Sequence, residues 1–445
     1  MTTDRSQAGR GPRARPVRAR PRDPAVGRTV EVTITGLGAA GDGLASYDDR
    51  ALYIPLCLPG ERVRVEITGR RGDGLAATIV EVLAPAAERA VPACRHYGEC
   101  GGCDLQHLAD GAAADFKAQL VVEALARRAI RVPVLPTRVS PAASRRRATL
   151  AIRRTARGVI LGFNAPESAR VVDIAECPVV RPRLAALVAP IRASAPGWLH
   201  AGEAADVSLT EGDGSIDMLI RATHEPSLED REALATLAES LDLARVSWAH
   251  DRGESQPIAW RRPFRVPFGP VAVEPPPGGF LQATEHGEAT LAEVVLGALP
   301  ERGRLVDLFA GCGTFALRLA ARGAEVRAVE GDAAAIAALG AAARGAMLAV
   351  TAERRDLDDR PLTAADLADV AGLVFDPPRT GARGQAEEIA ESAVPVVVAV
   401  SCNPASFARD ARILIDGGYA LDSVQPVDQF RWTAHVELVA VFRRR

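Results

Sequence analysis

Val396-Val-Val-Ala-Val-Ser-Cys-Asn-Pro404 is a run of β-branched and small apolar residues that stops at a serine. Such a run, ended by a turn signal, reads as a buried parallel strand. It delivers Cys402 at the carboxyl end of the strand, where open α/β sheets place ligands and chemistry. A thiol in that place is a candidate nucleophile. Taken alone, a single cysteine is more often a small buried hydrophobe, so its neighbours decide.

From Gly278 onward strands alternate with helices, which implies a doubly wound parallel sheet. Arg304-Leu-Val-Asp-Leu-Phe309 reads as a strand, Ala310-Gly-Cys-Gly313 as a tight turn and residues 314–320 as a helix. The glycines let a ligand approach that helix's N-terminus. Residues 324–330 read as the second strand. Its last residue, Glu330, lies nineteen positions after Gly311, the distance of an acid that grips ribose hydroxyls. Gly311-x-Gly313-x-x-Ala316 alone suits a dinucleotide equally well, and Cys312 within it reads as structural. Asp356 follows the third strand region. Asp376-Pro-Pro-Arg-Thr-Gly381 closes the fourth strand with an acid and a rigid diproline, unusual for a dehydrogenase and familiar from methyltransferases that act on planar bases. Thr433-Ala-His-Val-Glu437-Leu-Val-Ala-Val-Phe442 reads as an edge strand with a carboxylate near its start.

Upstream the text differs. Cys94-Arg-His-Tyr-Gly-Glu-Cys100-Gly-Gly-Cys103 has metal-ligand spacing, and both tetrahedral zinc and an iron–sulfur cluster want a fourth ligand. Cys177 is the best candidate for it. A redox Cys-x-x-Cys leaves Cys94 unexplained. Residues 112–130 read as a helix, and 136–270 as strands with Arg-rich turns. The run Ser144-Arg-Arg-Arg147 reads as an RNA-contacting face. Six prolines between Pro263 and Pro277 suggest a linker. Between Arg28 and Pro85, short strands broken by glycine suggest a small barrel of the OB-like kind that binds single-stranded nucleic acid. This block resembles a TRAM domain, an RNA-binding module.

Residues 1–28 hold eight arginines against Asp4 and Asp23, a surplus of six positive charges, so the remainder carries about −8 of the net −2. That leader reads as a disordered basic tail over 1–27. No secretory signal or membrane-length apolar run is evident, and seven cysteines without such a signal point to the reducing cytoplasm. Lys117 is the only lysine.

With Asp376-Pro-Pro-Arg379, Ser401-Cys-Asn-Pro404 and Thr433-Ala-His-Val-Glu437 in view, the chain resembles the S-adenosylmethionine-dependent RNA (uracil-5-)-methyltransferases, specifically the 23S rRNA branch with a TRAM domain and a [4Fe-4S] cluster. The resemblance covers residues 28–445. It implies a multidomain α/β protein: a TRAM-like β-barrel over 28–85, a central α+β iron–sulfur and RNA-binding domain over 86–275, and a Rossmann-like class I methyltransferase domain over 276–445. It places cofactor contacts at Gln282, Phe309, Thr314, Glu330, Asp356 and Asp376. The nucleophile falls on Cys402, the base on Glu437, and the cluster ligands on Cys94, Cys100, Cys103 and Cys177. Three positions depart from the family's habit: Thr284 stands where asparagine is frequent, Arg431-Trp432 where a proline and a polar residue are, and Ala169 where a histidine is.

The chemistry explains the residue types. Uracil C5 is a poor nucleophile towards a methyl sulfonium, and thiolate addition at C6 loads C5 with electron density. The surroundings of Cys402 are accordingly expected to favour its thiolate, and Glu437 to take the C5 proton. Phe280 and Pro377-Pro378 are candidates for stacking on an extruded base. The expected partner is RNA, 23S rRNA ahead of tRNA, with no obligate protein partner evident. An inactive RNA-binding factor and a dinucleotide oxidoreductase are the readings that compete.

Overall fold

The computed structural model of the chain describes residues 23–251 and 253–445. The basic leader falls outside the described residues up to position 22. Positions 23–27, expected as tail, are folded: the Asp23 carboxylate pairs with Arg50 at 2.9 Å and Ala25 is buried. Two compact units form, one reaching Gly38 and resuming over Asp42–Ala86, the other made of Ala39–Gly41 and Ala87–Arg445.

The first unit is a six-stranded sheet in the order Thr29–Thr33, Arg62–Arg71, Gly74–Ala84, Arg50–Ile54, Gly43–Tyr47, Gly36–Leu37. Val63, Val65 and Ile67 alternate inward with outward Arg64 and Glu66, the period-two pattern of a half-buried strand. The two edge strands are consecutive in the chain, with only Ile34 and Thr35 between them. Two residues reach less than about 10 Å, whereas five flat inter-strand steps span roughly 24 Å. The sheet therefore curls.

The second unit holds two large sheets. The first runs Val171–Asp173, Gly158–Asn164, Arg147–Thr155, Ala204–Glu211, Ile216–Ala222, Arg245–His250, Ser255–Trp260. Leu150, Ile152, Val207, Met218 and Ile220 pack with Trp198 and Trp248, whose rings meet edge to face at 6.4 Å. The arginine run at the head of this sheet is not an exposed face. Arg146 is buried and ion-paired with Glu288, and its Nε donates to the Gln282 carbonyl at 3.0 Å. Arg147 donates to the Leu281 carbonyl at 2.8 Å, and burial, then Arg145 and Arg146, bring its pKa down to about 10. These guanidiniums brace the segment that carries Gln282. A guanidinium enters a core when carboxylate and carbonyl partners satisfy it there, and sequence spacing does not reveal those partners.

The proline-rich stretch is not a linker either. Val266–Phe268 and Val271–Val273 form an antiparallel ribbon. Phe264, Val266, Phe268, Val271 and Val273 pack with Cys312, Leu317 and Ala335 of the following α/β region. Pro267 sits exposed on the ribbon and Pro270 in its turn, positions that cost no ladder hydrogen bond.

The second sheet is organised Val350–Arg354, Glu325–Glu330, Arg304–Leu308, Gly372–Phe375, Val396–Ser401, Glu437–Arg444, Tyr419–Asp428, Arg138–Val139. The first five are parallel, as their continuous apolar runs require. Glu437–Arg444 enters antiparallel between Val396–Ser401 and Tyr419–Asp428. It is an interior strand rather than an edge, and it begins at Glu437, not Thr433. The helix expected over 112–130 spans Asp110–Ala126, and its Val121, Ala124 and Leu125 belong to this sheet's core.

Lys117 on that helix is buried, 2.5 Å from the Asp428 carboxylate, and donates to the Phe430 carbonyl at 3.1 Å. Desolvation lowers its pKa and Asp428 opposes the shift. Lys117→Ala should cost about 3–5 kcal/mol by stranding a buried carboxylate. Urea unfolding checks this, and the paired replacement Lys117→Met/Asp428→Leu should cost less.

Candidate active site

Four strand ends build the site. Leu308 is followed by Phe309, whose φ of 60° is rare for a bulky residue and turns the chain over the sheet. Gly311 and Gly313 also take positive φ, and a Cβ on Gly313 would meet Leu317 and Leu339 at 2.9 Å. The half-exposed Thr314 follows. Glu330 at the end of the adjacent strand accepts the Gly311 N–H at 2.9 Å and the Asp332 N–H at 2.8 Å. Asp356 lies two residues past Arg354, which pairs with Glu330; it is exposed, with its Cα 3.8 Å from where a Cβ on Gly331 would stand. Under the loop, Asp307 is fully buried and accepts the Ala316 N–H at 2.8 Å. Burial pushes its pKa well up, with Asp376 and Glu330 adding to the effect.

Asp376 ends the fourth strand and accepts from Gln282 Nε2 at 3.0 Å. Burial drives its pKa up to about 7 against the opposing Gln282 bond. Gln282 is in turn held by Gln429, whose amide donates to it at 2.5 Å and whose Oε1 accepts the Ala283 N–H at 2.9 Å. Gln429 also acts on Glu437, partly offsetting the burial and the nearby Asp376 that raise that carboxyl well above its usual range. Glu437 Oε2 is buried without a hydrogen-bond partner.

Cys402 and Glu437 meet because an antiparallel strand starts where its parallel neighbour ends. Ser401 pairs with Leu438, so the next residue on one strand stands beside the preceding residue on the other. Asn403 and Pro404 start a helix rather than merely ending a strand. The Asn403 side chain caps Ala405 N at 3.0 Å, Pro404 takes the first turn of Pro404–Asp416, and Asn403 Nδ2 donates to the Arg379 carbonyl at 3.0 Å.

The thiolate is not favoured as expected. Burial, then the charges of Glu437 and Asp376, push Cys402 up to about 11, and Arg379 opposes only weakly. The expectation weighed the strand end alone, whereas the carboxylates come from other strands.

These raised carboxylates fix a sign. Folded Asp376 keeps a proton between its ordinary pKa of 3.8 and about 7, where the unfolded chain has released it, so its contribution to stability falls as pH rises through that window. Asp376→Asn should therefore stabilise the ligand-free protein at pH 8 by about 1–2 kcal/mol, with little change at pH 4. Thermal melts at the two pH values check it.

The four cysteines converge elsewhere. Cys103 feels Cys177, Cys100 and Cys94, and burial carries it up to about 12. The Cys177 segment is fastened to the Cys94 segment by Arg95–Glu176 at 3.0 Å and by the Ala175 N–H on His96 at 3.1 Å. A Cβ on Gly101 would strike the Asn164 carbonyl at 2.8 Å, so this loop needs glycine there. All four thiols line a cavity of about 460 Å³ that reaches Phe280 and Gln282.

The chain is similar to several known proteins. A TRAM domain is recognised over residues 25–80. An uncharacterised RNA methyltransferase of Brucella suis is 43% identical over 94% of this chain and 98% of its own. The 23S rRNA (uracil(1939)-C(5))-methyltransferase RlmD of Halomonas elongata is 36% identical over 92% of this chain and 88% of its own. This chain belongs to the RNA (uracil-5-)-methyltransferase family. Its fold is also that of the crystal structure of Pyrococcus abyssi tRNA (uracil-54, C5)-methyltransferase, with a TM-score of 0.74 and 24% identity over 93% of this chain and 99% of the other.

For this uracil-5 methyltransferase the three departures have structural accounts. Thr284 is the buried N-cap of helix Glu285–Ala298, accepting the Gly287 N–H at 2.9 Å, a task asparagine does equally. Arg431 pairs with Asp110 at 2.5 Å, and the Trp432 carbonyl accepts from Asp104 and Leu105. Arg431 fastens the last loop to helix Asp110–Ala126, and Trp432 fastens it to the residues that follow Cys103. Ala169 is exposed, its carbonyl held by Arg153 at 2.8 Å. Asp307 and Gln429 escaped sequence reading. The first looks like a strand residue, and the second gains its meaning only from the strand order.

Proposed function

We propose that this methyltransferase acts on a uridine of 23S rRNA through a covalent intermediate on Cys402, with Glu437 as base. The observation that carries this reading is the strand register that sets Cys402 beside Glu437 at the strand ends where Asp376 also stands. The Cys402 thiolate bonds to C6 and C5 takes the methyl group. Glu437 then removes the C5 proton, and the C6–S bond breaks, releasing the thiolate and restoring the C5–C6 double bond.

S-adenosylmethionine, when bound, supplies the electrophilic methyl and a positive charge. A site flanked by Asp376 and Glu437, with Glu330 at a neighbouring strand end, suits a cation, which lowers the raised pKa values of Asp376 and Glu437. We assign the remaining contacts to Gln282, Phe309, Thr314 and Asp356, with the glycine turn giving close approach. Exposed Phe280, under the Arg147 guanidinium at 5.2 Å, offers a stacking face for the extruded base.

Cys94, Cys100, Cys103 and Cys177 fit a [4Fe-4S] centre. All four thiols line one cavity, and Gly101 lets their loop close against the Asn164 carbonyl; four sulfur donors are the set such a cluster takes. Its role here is to brace the wall of the cavity shared with Phe280. The TRAM unit, over 28–85 in this division, and the central region to 275 are the RNA-holding parts; 276–445 carries the chemistry. Among the described residues no helix is long and apolar enough to cross a membrane, and an rRNA substrate places the reaction in the cytoplasm.

Nucleoside mass spectrometry on unmodified 23S rRNA and tRNA, incubated with protein and S-adenosylmethionine, tests the substrate. New 5-methyluridine is expected in rRNA alone. Signal in tRNA alone keeps the chemistry and overturns the substrate.

A further inference from the structure

A second group of ligating side chains stands on the central sheet, away from the four cysteines. The register of Ala204–Glu211 against Ile216–Ala222 pairs Ala205 with Ala222. Two residues outward on each side, it sets Glu203 opposite His224. His200, from the turn after Ala195–Gly197, closes over the same point. Glu203 Oε2 lies 3.2 Å from His200 Nδ1 and 3.2 Å from His224 Nδ1, and the ligand atoms of all three residues fall within 4.8 Å of one another.

The contacts do not behave as hydrogen bonds. Both ring nitrogens of His224 are buried and neither has a hydrogen-bond partner, despite the nearby carboxylate oxygen. Two nitrogens gathered around one oxygen without donor alignment is the arrangement of ligands aimed at a shared centre. The spacing agrees. Nitrogen and oxygen ligands at about 2.0–2.1 Å from a tetrahedral ion stand about 3.3–3.4 Å apart.

The frame is rigid. Trp248 Nε1 donates to the His224 carbonyl at 3.0 Å and its ring meets the His224 ring at 5.0 Å. The His200 N–H is held on Glu203 Oε2 at 3.1 Å, and Arg154 fixes the turn through the Pro196 and Leu199 carbonyls at 3.0 and 2.8 Å. We propose that His200, Glu203 and His224 form a site for a divalent transition-metal ion, Zn²⁺ by preference. Two imidazoles and one carboxylate match a borderline-soft cation in place of Mg²⁺ or Ca²⁺. The outer side of His200 is open, so water completes the tetrahedron. The ion pins the 198–203 turn to the end of Ile216–Ala222 and stabilises the sheet by mass action.

Co²⁺ is the probe, because its spectrum tells nitrogen and oxygen ligands from sulfur. Titrated into the full-length, cluster-loaded enzyme, it should bind one equivalent with visible d–d bands and no thiolate-to-cobalt charge-transfer band. His200→Ala and Glu203→Gln should each weaken binding at least about tenfold, and Zn²⁺ should displace the cobalt. His200 is 57% exposed, so its truncation leaves the fold intact, and methyl transfer should be unchanged. Cobalt that carries the sulfur band, or uptake that both variants leave untouched, overturns the proposal. So does an absence of saturable uptake.

Discussion

Cys402→Ala should reduce methyl transfer by about four orders of magnitude or more, while cofactor and RNA binding change little. The size follows from the chemistry, since without a covalent bond at C6 there is no electron-rich C5 to attack the methyl group. The fold should tolerate the change, because Cys402 is half-exposed at a strand end and the cap of the next helix belongs to Asn403. The surroundings add a pH signature. With Cys402 held at about 11 and Asp376 at about 7 in the ligand-free protein, kcat/KM of the wild type should rise as pH increases from 6 to 9. The sign is that of groups that must lose protons to act. Single-turnover assays with labelled cofactor measure both effects. A Cys402→Ala enzyme that retains activity removes the covalent route.

Glu437→Gln should behave differently. Addition and methylation can proceed, because the amide removes the charge that raises the Cys402 thiol. Loss of the C5 proton cannot, so methylated RNA stays bonded to the protein. Steady-state turnover should fall about 10²–10⁴-fold, while a retarded protein–RNA band accumulates on denaturing gels in stoichiometric amount. Gln429 reaches Asp376 through Gln282 by side-chain amides and also acts on Glu437, and glutamine at 437 can keep its place beside them. A variant that turns over freely and leaves no adduct excludes Glu437 as the base.

Much of this site was legible before any coordinates. Strand ends announce themselves where an apolar run meets a glycine or an acid, which is how Glu330, Asp376 and Cys402 stood out. Spacing within the cysteine segment did the same for Cys94, Cys100 and Cys103. What stayed hidden depends on partners far away in sequence. Arg146 reads as a surface charge until Glu288 and the Gln282 carbonyl are beside it. The prolines of 263–277 read as a linker until Phe264 and Phe268 find Leu317. The strand beginning at Glu437 reads as an edge until its antiparallel entry shows why a residue near the C-terminus reaches Cys402. The thiol's raised pKa has the same origin, since both repelling carboxylates belong to other strands.

The most direct test of the covalent account uses RNA in which the target uridine is replaced by 5-fluorouridine. Fluorine at C5 cannot leave as a proton, so an intermediate bonded to Cys402 has no exit. With S-adenosylmethionine present, the wild-type protein should form an adduct that survives denaturation, and mass spectrometry should place RNA and one added methyl on the peptide containing Cys402. Cys402→Ala should form none. Absence of a wild-type adduct under conditions where ordinary RNA is methylated, or an adduct that persists in Cys402→Ala, contradicts the account.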